Sequence, residues 1–182
     1  MPRLYLVRHG RPAGTFADSP DAGLDPAGVV QAETLAARLG PLGPLAIVVS
    51  PLRRTRETAA PLERRWGAGR VEPAVGEIPT PAHVPFTSRG EWLRSVMTGK
   101  WSDVEPSLRG WRDTVIAALL GLPNSTVVVS HFVAINAVIG AAVGDDRVVI
   151  RRLDNCSRTV VEVDGDRLRL VDAGHEADTL IR

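Results

Sequence analysis

The run Leu4-Tyr5-Leu6-Val7, leading directly into Arg8-His9-Gly10, restricts this chain more than any other feature. Apolar residues without alternation read as a strand covered on both faces, which requires helices on each side of a sheet. The polar end of that strand must then surface at the edge of the sheet. Two later runs are built the same way. Leu45-Ala46-Ile47-Val48-Val49 ends in Ser50-Pro51-Leu52-Arg53-Arg54, and Thr126-Val127-Val128-Val129 ends in Ser130-His131.

The residues between these runs supply the helices. Asp25-Pro26 predicts an N-cap followed by proline at the first helical position. Val29, Ala32, Leu35, Ala36 and Leu39 keep helical spacing, and Gly40-Pro41 ends it. Ser50-Pro51 repeats the cap-then-proline signal, so a helix is expected to about Trp66 with Arg53 and Arg54 in its first turn. Residues 107–120 predict a further helix with Leu108, Trp111, Val115 and Leu119 on one face. Residues 132–143 predict another, closed by Gly144. A short helix is expected around 91–97, and Val71 to Val75 reads as a short strand. Residues 11–24 are turn-rich and read as a loop. Residues 76–106 are the least regular part, broken by Pro79, Pro81 and Pro85 and bracketed by Trp92, Trp101 and Trp111. Thr159–Val163 and Arg167–Val171 flank Asp164-Gly165-Asp166, a hairpin expected to cover one edge of the sheet. The tail from Ala173 carries no signal. The expected architecture is a three-layer α/β/α sandwich with a mostly parallel central sheet and an edge β-hairpin. It forms one domain over residues 1–182, with a short irregular covering segment at about 76–106.

Composition narrows the partners. A hydrophobic content of 44% with 24% charged residues is that of a globular chain. The formal net charge is +1, so no global field selects nucleic acid or an anionic membrane, and cationic chemistry must be local. Lys100 is the only lysine among 22 basic residues, which lowers the information in any single arginine. Cys156 is the only cysteine, so no internal disulfide forms. No apolar run approaches transmembrane length, and the run from Leu4 is too short for a signal peptide. The expectation is a soluble, cytoplasmic protein with no nucleic-acid and no membrane partner.

In open α/β sheets ligands bind beyond the carboxyl ends of the strands. If the three strands are neighbours, two histidines and at least two arginines converge there, beside the N-termini of two helices. Such a place favours a compact, multiply charged anion, and phosphate is the obvious candidate. A neutral imidazole can attack phosphorus and leave a covalent phosphohistidine for water to hydrolyse. Arginine neutralises the equatorial oxygens through its planar fork, and a carboxylic acid protonates the leaving oxygen.

These residues resemble the histidine phosphatase superfamily, the phosphoglycerate-mutase-like fold, from Leu4 to about Val143 and again in the edge hairpin. Leu-Val-Arg-His-Gly is similar to the signature of the family, in which His9 matches the phosphorylated histidine and Arg8 a phosphate ligand. Leu24-Asp25-Pro26-Ala27-Gly28 with Gln31-Ala32 resembles the segment that follows the loop. In Ser50-Pro51-Leu52-Arg53-Arg54-Thr55-Arg56-Glu57-Thr58-Ala59, Arg54 falls at the phosphate-binding arginine. In Val129-Ser130-His131, His131 falls at the second pocket histidine. The larger branch of the family carries a proton-donor glutamate between these motifs, and Glu77 stands there, with Glu91 and Asp18 as rivals. The smaller branch would need an aspartate at Phe132. Arg11-Pro12 and Phe132 depart from the pattern, and Thr15 is the substitute for an absent phosphate-contacting asparagine.

The resemblance implies a phosphomonoester hydrolase working through a phosphohistidine on His9, with no metal and no cofactor. Its substrate is expected to be a small phosphorylated metabolite. Arg8, Arg54 and His131 would bind the phosphoryl group, His131 would also stabilise the transition state, and Glu77 would protonate the leaving group. Arg89 and Lys100 are candidates for a substrate's distal charge. Three alternatives accompany this reading: a mutase-type phosphoryl transferase, a protein phosphatase acting on phosphohistidine, and a non-enzymatic phospho-ligand-binding module. The mutase ranks lower because 76–106 is short for a lid. A metal hydrolase is weaker still, since no His-x-x-x-His pair occurs. Arg53, Arg56, His83 and His175 are expected at the surface, the tryptophans as core and cover, and Cys156 as an inert thiol. Substrate identity and oligomeric state are not encoded in these signals.

Overall fold

The computed structural model describes residues 1–15 and 18–176. Phe16 and Ala17 of the expected loop, and the tail beyond Glu176, lie outside the described residues. The strands are β1 (Arg3–Arg8), β2 (Ala46–Val49), β3 (Arg70–Val71), β4 (Thr126–Ser130), β5 (Arg158–Asp164) and β6 (Arg167–Asp172). The α-helices are α1 (Pro26–Leu39), α2 (Arg53–Trp66), α3 (Arg89–Met97), α4 (Pro106–Leu120) and α5 (Phe132–Val143). The sheet order is β3-β2-β4-β1-β5-β6. Strands β3, β2, β4 and β1 run parallel, and β5 and β6 add an antiparallel hairpin at one edge.

Side-chain alternation assigns the layers. Val7, Ile47, Val49, Val127 and Val129 face α1 and α2, where they meet Leu35, Ala36, Leu39, Ala59 and Leu62. Leu4, Leu6, Val48 and Val128 face the opposite way, onto Leu108, Val115 and Leu119 of α4 and the buried face of α5. The continuous apolar runs are thus strands buried on both sides. Among the described residues no helix is long and apolar enough to cross a membrane.

Several local expectations need correction. The α2 helix starts at Arg53 with Leu52 as its N-cap, not at Ser50-Pro51. Ser50 stays extended beyond β2, and the Asp21 carboxylate accepts the Arg53 N–H at 2.7 Å from outside the helix. The strand expected over Val71–Val75 is only Arg70–Val71, because Pro73 turns the chain into a single 3₁₀ turn at 73–75. Val29 is 49% exposed, and Gly28 takes the buried place beside Ala32. The α3 helix begins two residues earlier than expected, at Arg89. Trp101 is fully buried, whereas Trp92 and Trp111 pack on the core only from its margin.

Gly28 is fixed by close approach. It begins the buried stripe of α1, beneath the chain that leaves His9. A Cβ at position 28 would lie 2.2 Å from the Arg11 carbonyl oxygen, which is rigid backbone. Gly110 in α4 is exposed and has nothing within 4 Å of an added Cβ. Gly28→Ala is therefore expected to destabilise the fold by about 1–3 kcal/mol. Gly110→Ala is expected to stabilise it by about 0.5–1 kcal/mol through helix propensity. Urea unfolding of the two variants should give these opposite signs.

Candidate active site

Because β4 lies between β1 and β2, the polar ends of all three strands open at one edge. The His9 N–H donates to the Ser130 carbonyl at 3.1 Å, and the Ser50 N–H donates to the Val129 carbonyl at 3.0 Å. His9, Ser50 and His131 thereby follow three adjacent strands at one level. The His9 and His131 rings are 5.4 Å apart.

Arg54, in the first turn of α2, reaches between them and is buried. Its Nε donates to His9 Nε2 at 3.3 Å and its Nη1 to the Pro20 carbonyl at 3.3 Å. Its Nη2 donates to Glu77 Oε2 at 3.1 Å and lies 3.4 Å from His131 Nδ1. The same Glu77 oxygen is 3.3 Å from His131 Nδ1. Four of the residues singled out in the sequence therefore meet in one cluster.

Each is braced from behind. His9 Nδ1 donates to the Gly10 carbonyl at 2.8 Å, which makes Nε2 the acceptor nitrogen that faces the Arg54 Nε–H. The Gly10 N–H donates to Thr58 Oγ1 at 2.9 Å, and the Asn155 amide donates to the His9 carbonyl at 3.1 Å. His131 Nε2 is bonded to Ser50 Oγ at 2.7 Å, so Nδ1 is the nitrogen presented to Arg54 and Glu77. Glu77 hangs between two buried side chains, Val75 and Ile78. The Val75 carbonyl accepts Ser130 Oγ at 2.7 Å, and the Ile78 N–H donates to Glu77 Oε1 at 3.0 Å. Arg8 Nη1 donates to the Leu153 carbonyl at 2.6 Å, and its Cζ lies 5.1 Å from the centre of the Phe132 ring.

The electrostatics follow from this packing. Burial first, then the neighbouring His131, Arg8 and Arg54, hold His9 well below the ordinary histidine value of 6.5. A neutral imidazole keeps a lone pair on Nε2 that can act as a nucleophile once a phosphoryl group replaces the weak Arg54 contact. Burial alone would raise Glu77, but His131 and Arg54 outweigh it and keep the carboxylate well below its ordinary range. Burial lowers Arg8, opposed by Glu77 and Asp154. Burial and Asp154 push the Cys156 thiol up to about 12, against the pull of Arg8, so it is protonated and unreactive.

The other candidates make contacts of their own. The Thr15 hydroxyl donates to Asp18 at 2.5 Å within its own exposed turn, which occupies both residues. Arg89 Nε donates to Thr80 Oγ1 at 3.1 Å, and its guanidinium stacks near Phe86. Glu91 is exposed in α3. Arg53 pairs with Glu57 at the surface, and His83 faces Glu105 at 3.7 Å. The sequence reading named Ser50 and Ser130 only as strand ends and Thr58 only within a motif, so their hydrogen-bonding roles, and Asn155 altogether, escaped it. Ser50 carried a usable signal, since it follows a buried strand just as His9 does, but its helix-cap pattern masked it.

Part of the chain matches a known family, and its fold matches solved structures. Residues 4–78 match the model of the histidine phosphatase superfamily (branch 1). Among solved structures, the mycobacterial glucosyl-3-phosphoglycerate phosphatase is 25% identical with a TM-score of 0.72, covering 95% of this chain and 98% of that one. The phosphoserine phosphatase of Entamoeba histolytica is 20% identical with a TM-score of 0.76, covering 96% and 98%, and shows likeness of fold. Curated protein sequences supply no match.

The cluster has a measurable acid signature. His9 and Glu77 both have folded pKa values below their unfolded ones, so the unfolded chain takes up more protons as pH falls. Their stabilisation is complete above the unfolded values and is lost on acidification. For His9 the loss begins below 6.5, and for Glu77 only below 4.5. His9→Gln should therefore flatten the fall in unfolding free energy between about pH 7 and pH 5. Wild-type and variant chains with parallel pH profiles would contradict this account of the buried imidazole.

Proposed function

We propose, for a chain whose residues 4–78 are those of the histidine phosphatase superfamily and whose fold is that of phosphoglycerate-mutase-like phosphatases, that it hydrolyses phosphomonoesters of small metabolites through a phosphohistidine on His9. The observation that carries this reading is Arg54, whose Nε and Nη2 between them approach His9 Nε2, His131 Nδ1 and Glu77. A phosphoryl group at that point would meet the His9 nucleophile, the Arg54 guanidinium, the His131 imidazole and the Glu77 carboxyl group. The mycobacterial glucosyl-3-phosphoglycerate phosphatase, over 95% of this chain, supports hydrolysis of a phosphorylated metabolite as the reaction class.

The substrate dianion takes over Arg54 and His131 from Glu77, with Arg8 as a further ligand. Glu77 then loses the charges that hold it ionised and gains a negative neighbour, so its pKa rises and it takes up a proton. His9 Nε2 attacks phosphorus, the ester P–O bond breaks, and Glu77 gives its proton to the departing oxygen. Water then attacks the phosphohistidine while the Glu77 carboxylate accepts its proton. The P–N bond breaks, releasing inorganic phosphate and restoring neutral His9. Arg8, Arg54 and His131 neutralise the equatorial oxygens throughout, so activity should persist in chelator.

His9→Ala is expected to abolish both turnover and the acid-labile phosphoenzyme formed on rapid quench. Turnover of p-nitrophenyl phosphate by His9→Ala at the wild-type rate would refute the mechanism. Glu77→Gln should separate substrates by leaving group. Hydrolysis of an alkyl phosphate should fall by about 10²–10⁴-fold, and that of p-nitrophenyl phosphate, whose phenolate leaves without a proton, much less. Equal losses on both substrates would assign the acid elsewhere.

A further inference from the structure

Asn136 lies in α5, one turn after Phe132, with 0% exposure. Its Oδ1 accepts the backbone N–H groups of Ile150 and Arg151, both at 2.8 Å. Its Nδ2 donates to the carbonyls of Phe132 and Arg151, both at 3.0 Å. Two N–H groups meet the oxygen and two carbonyls meet the nitrogen, so only one orientation of the amide fits and its bonding capacity is full. A buried amide satisfied in this way imposes one conformation on its partners. Those partners include the irregular run after α5, which has no strand ladder of its own to hold it.

Two links run from this clamp to Arg8. Leu153, fully buried two residues beyond Arg151, offers the carbonyl that accepts Arg8 Nη1 at 2.6 Å. Phe132, whose own carbonyl Asn136 grips, lies with its ring 5.1 Å from Arg8 Cζ. The guanidinium is thus held at one nitrogen and against one ring. The amide bonds Phe132 directly and fixes the backbone at Arg151, two residues before Leu153, which is itself also bridged to Glu176. The Arg8 Nε is buried and has no hydrogen-bond partner among the described residues. A guanidinium with so few fixed contacts depends on the precision of those two.

We propose that Asn136 is the positioning residue of Arg8, acting through Leu153 and Phe132 to set the guanidinium at the phosphate site without touching substrate itself. The inference rests on the reading of Arg8 as a phosphate ligand.

A double-mutant cycle tests it. Inorganic phosphate binding is measured by calorimetry, and kcat and KM on p-nitrophenyl phosphate in parallel, for wild type, Asn136→Ala, Arg8→Ala and the double variant. Asn136→Ala is expected to weaken phosphate binding and raise KM about tenfold when Arg8 is present, and to cause no further loss in Arg8→Ala. Equal losses in both backgrounds would show a structural role alone and overturn the inference. If Asn136→Ala fails to fold, Phe132→Leu removes the ring and keeps the clamp. It should show the same coupling to Arg8, and equal losses would again overturn the inference. Phosphate binding needs no turnover, so the two readings separate. Coupling in a chain that hydrolyses nothing keeps this inference and removes the phosphatase. Turnover with additive losses does the reverse. A wild-type chain that binds no phosphate removes both.

Discussion

The buried charge of Arg54 is the constraint to which the rest of the site answers. Its side chain is 8% exposed, and its carboxylate partner is Glu77 at 3.1 Å. A guanidinium taken out of water and left unpaired would cost several kcal/mol. Glu77 must therefore be ionised while the site is empty, which agrees with its depressed pKa. Two imidazoles also stand against that guanidinium, and His9 is tolerated because burial and its cationic neighbours keep it neutral. Under the proposed reaction, the conditions that stabilise the empty site also prepare the chemistry. The nucleophile is already unprotonated. The acid is ionised only until a better anion claims its partners. An arginine that is satisfied without substrate also costs little to keep buried, and substrate binding becomes an exchange of anions rather than a fresh desolvation.

That arrangement depends on the order of the strands. Only with β4 between β1 and β2 do His9, Ser50 and His131 end side by side. Small hydroxyls then join one element to the next. Ser50 fixes the ring of His131, Ser130 holds the turn that carries Glu77, and Thr58 of α2 holds the backbone at Gly10. Each of these residues is buried, and each bonds to a group that would otherwise be an unsatisfied polar atom in a dry interior. The Gly10–Gly28 approach sets the last distance, since the chain after His9 passes over the first turn of α1 with no room for a Cβ on either side.

What the sequence made legible was whatever has a local signature. Unbroken apolar runs gave the buried strands, Asp25-Pro26 gave the start of α1, and Gly144 closed α5 in the left-handed conformation. Strand ends carrying Arg8-His9 and Ser130-His131 pointed to one edge because parallel strands gather their ends. Glu77 was found by its place between motifs, not by any local pattern. Where two local signals competed, the tertiary contact decided. Ser50 reads as a helix cap, yet its hydroxyl is taken by His131, 81 residues away, and α2 starts later with an outside carboxylate serving its first N–H. Asn155 reaches His9 across 146 residues from a turn with no regular structure, and nothing local announces it. Thr15 shows the local case: its hydroxyl donates to Asp18, three residues on.

The rim of the site bears on selectivity. Arg11 and Arg53 stand close in sequence to His9 and Arg54, but each is already paired, with Asp25 and Glu57. The loop before α1 is stitched to α2 by the Pro20 carbonyl on Arg54, by Asp21 on the Arg53 N–H and by Glu57 on the Leu24 N–H. The edge therefore presents paired charges rather than a positive collar, in keeping with a net charge of +1. Long-range attraction to an anionic substrate is weak under these conditions, and discrimination has to arise from contact. Exposed pairs such as Arg53–Glu57 hold together by only about 0–1 kcal/mol. Under the proposed reaction, a second anionic group on a substrate could exchange for the glutamate at small cost, as the phosphoryl group would exchange for Glu77 in the interior. The deep exchange would then select a phosphoryl group, and the shallow one would tune affinity for what is attached to it.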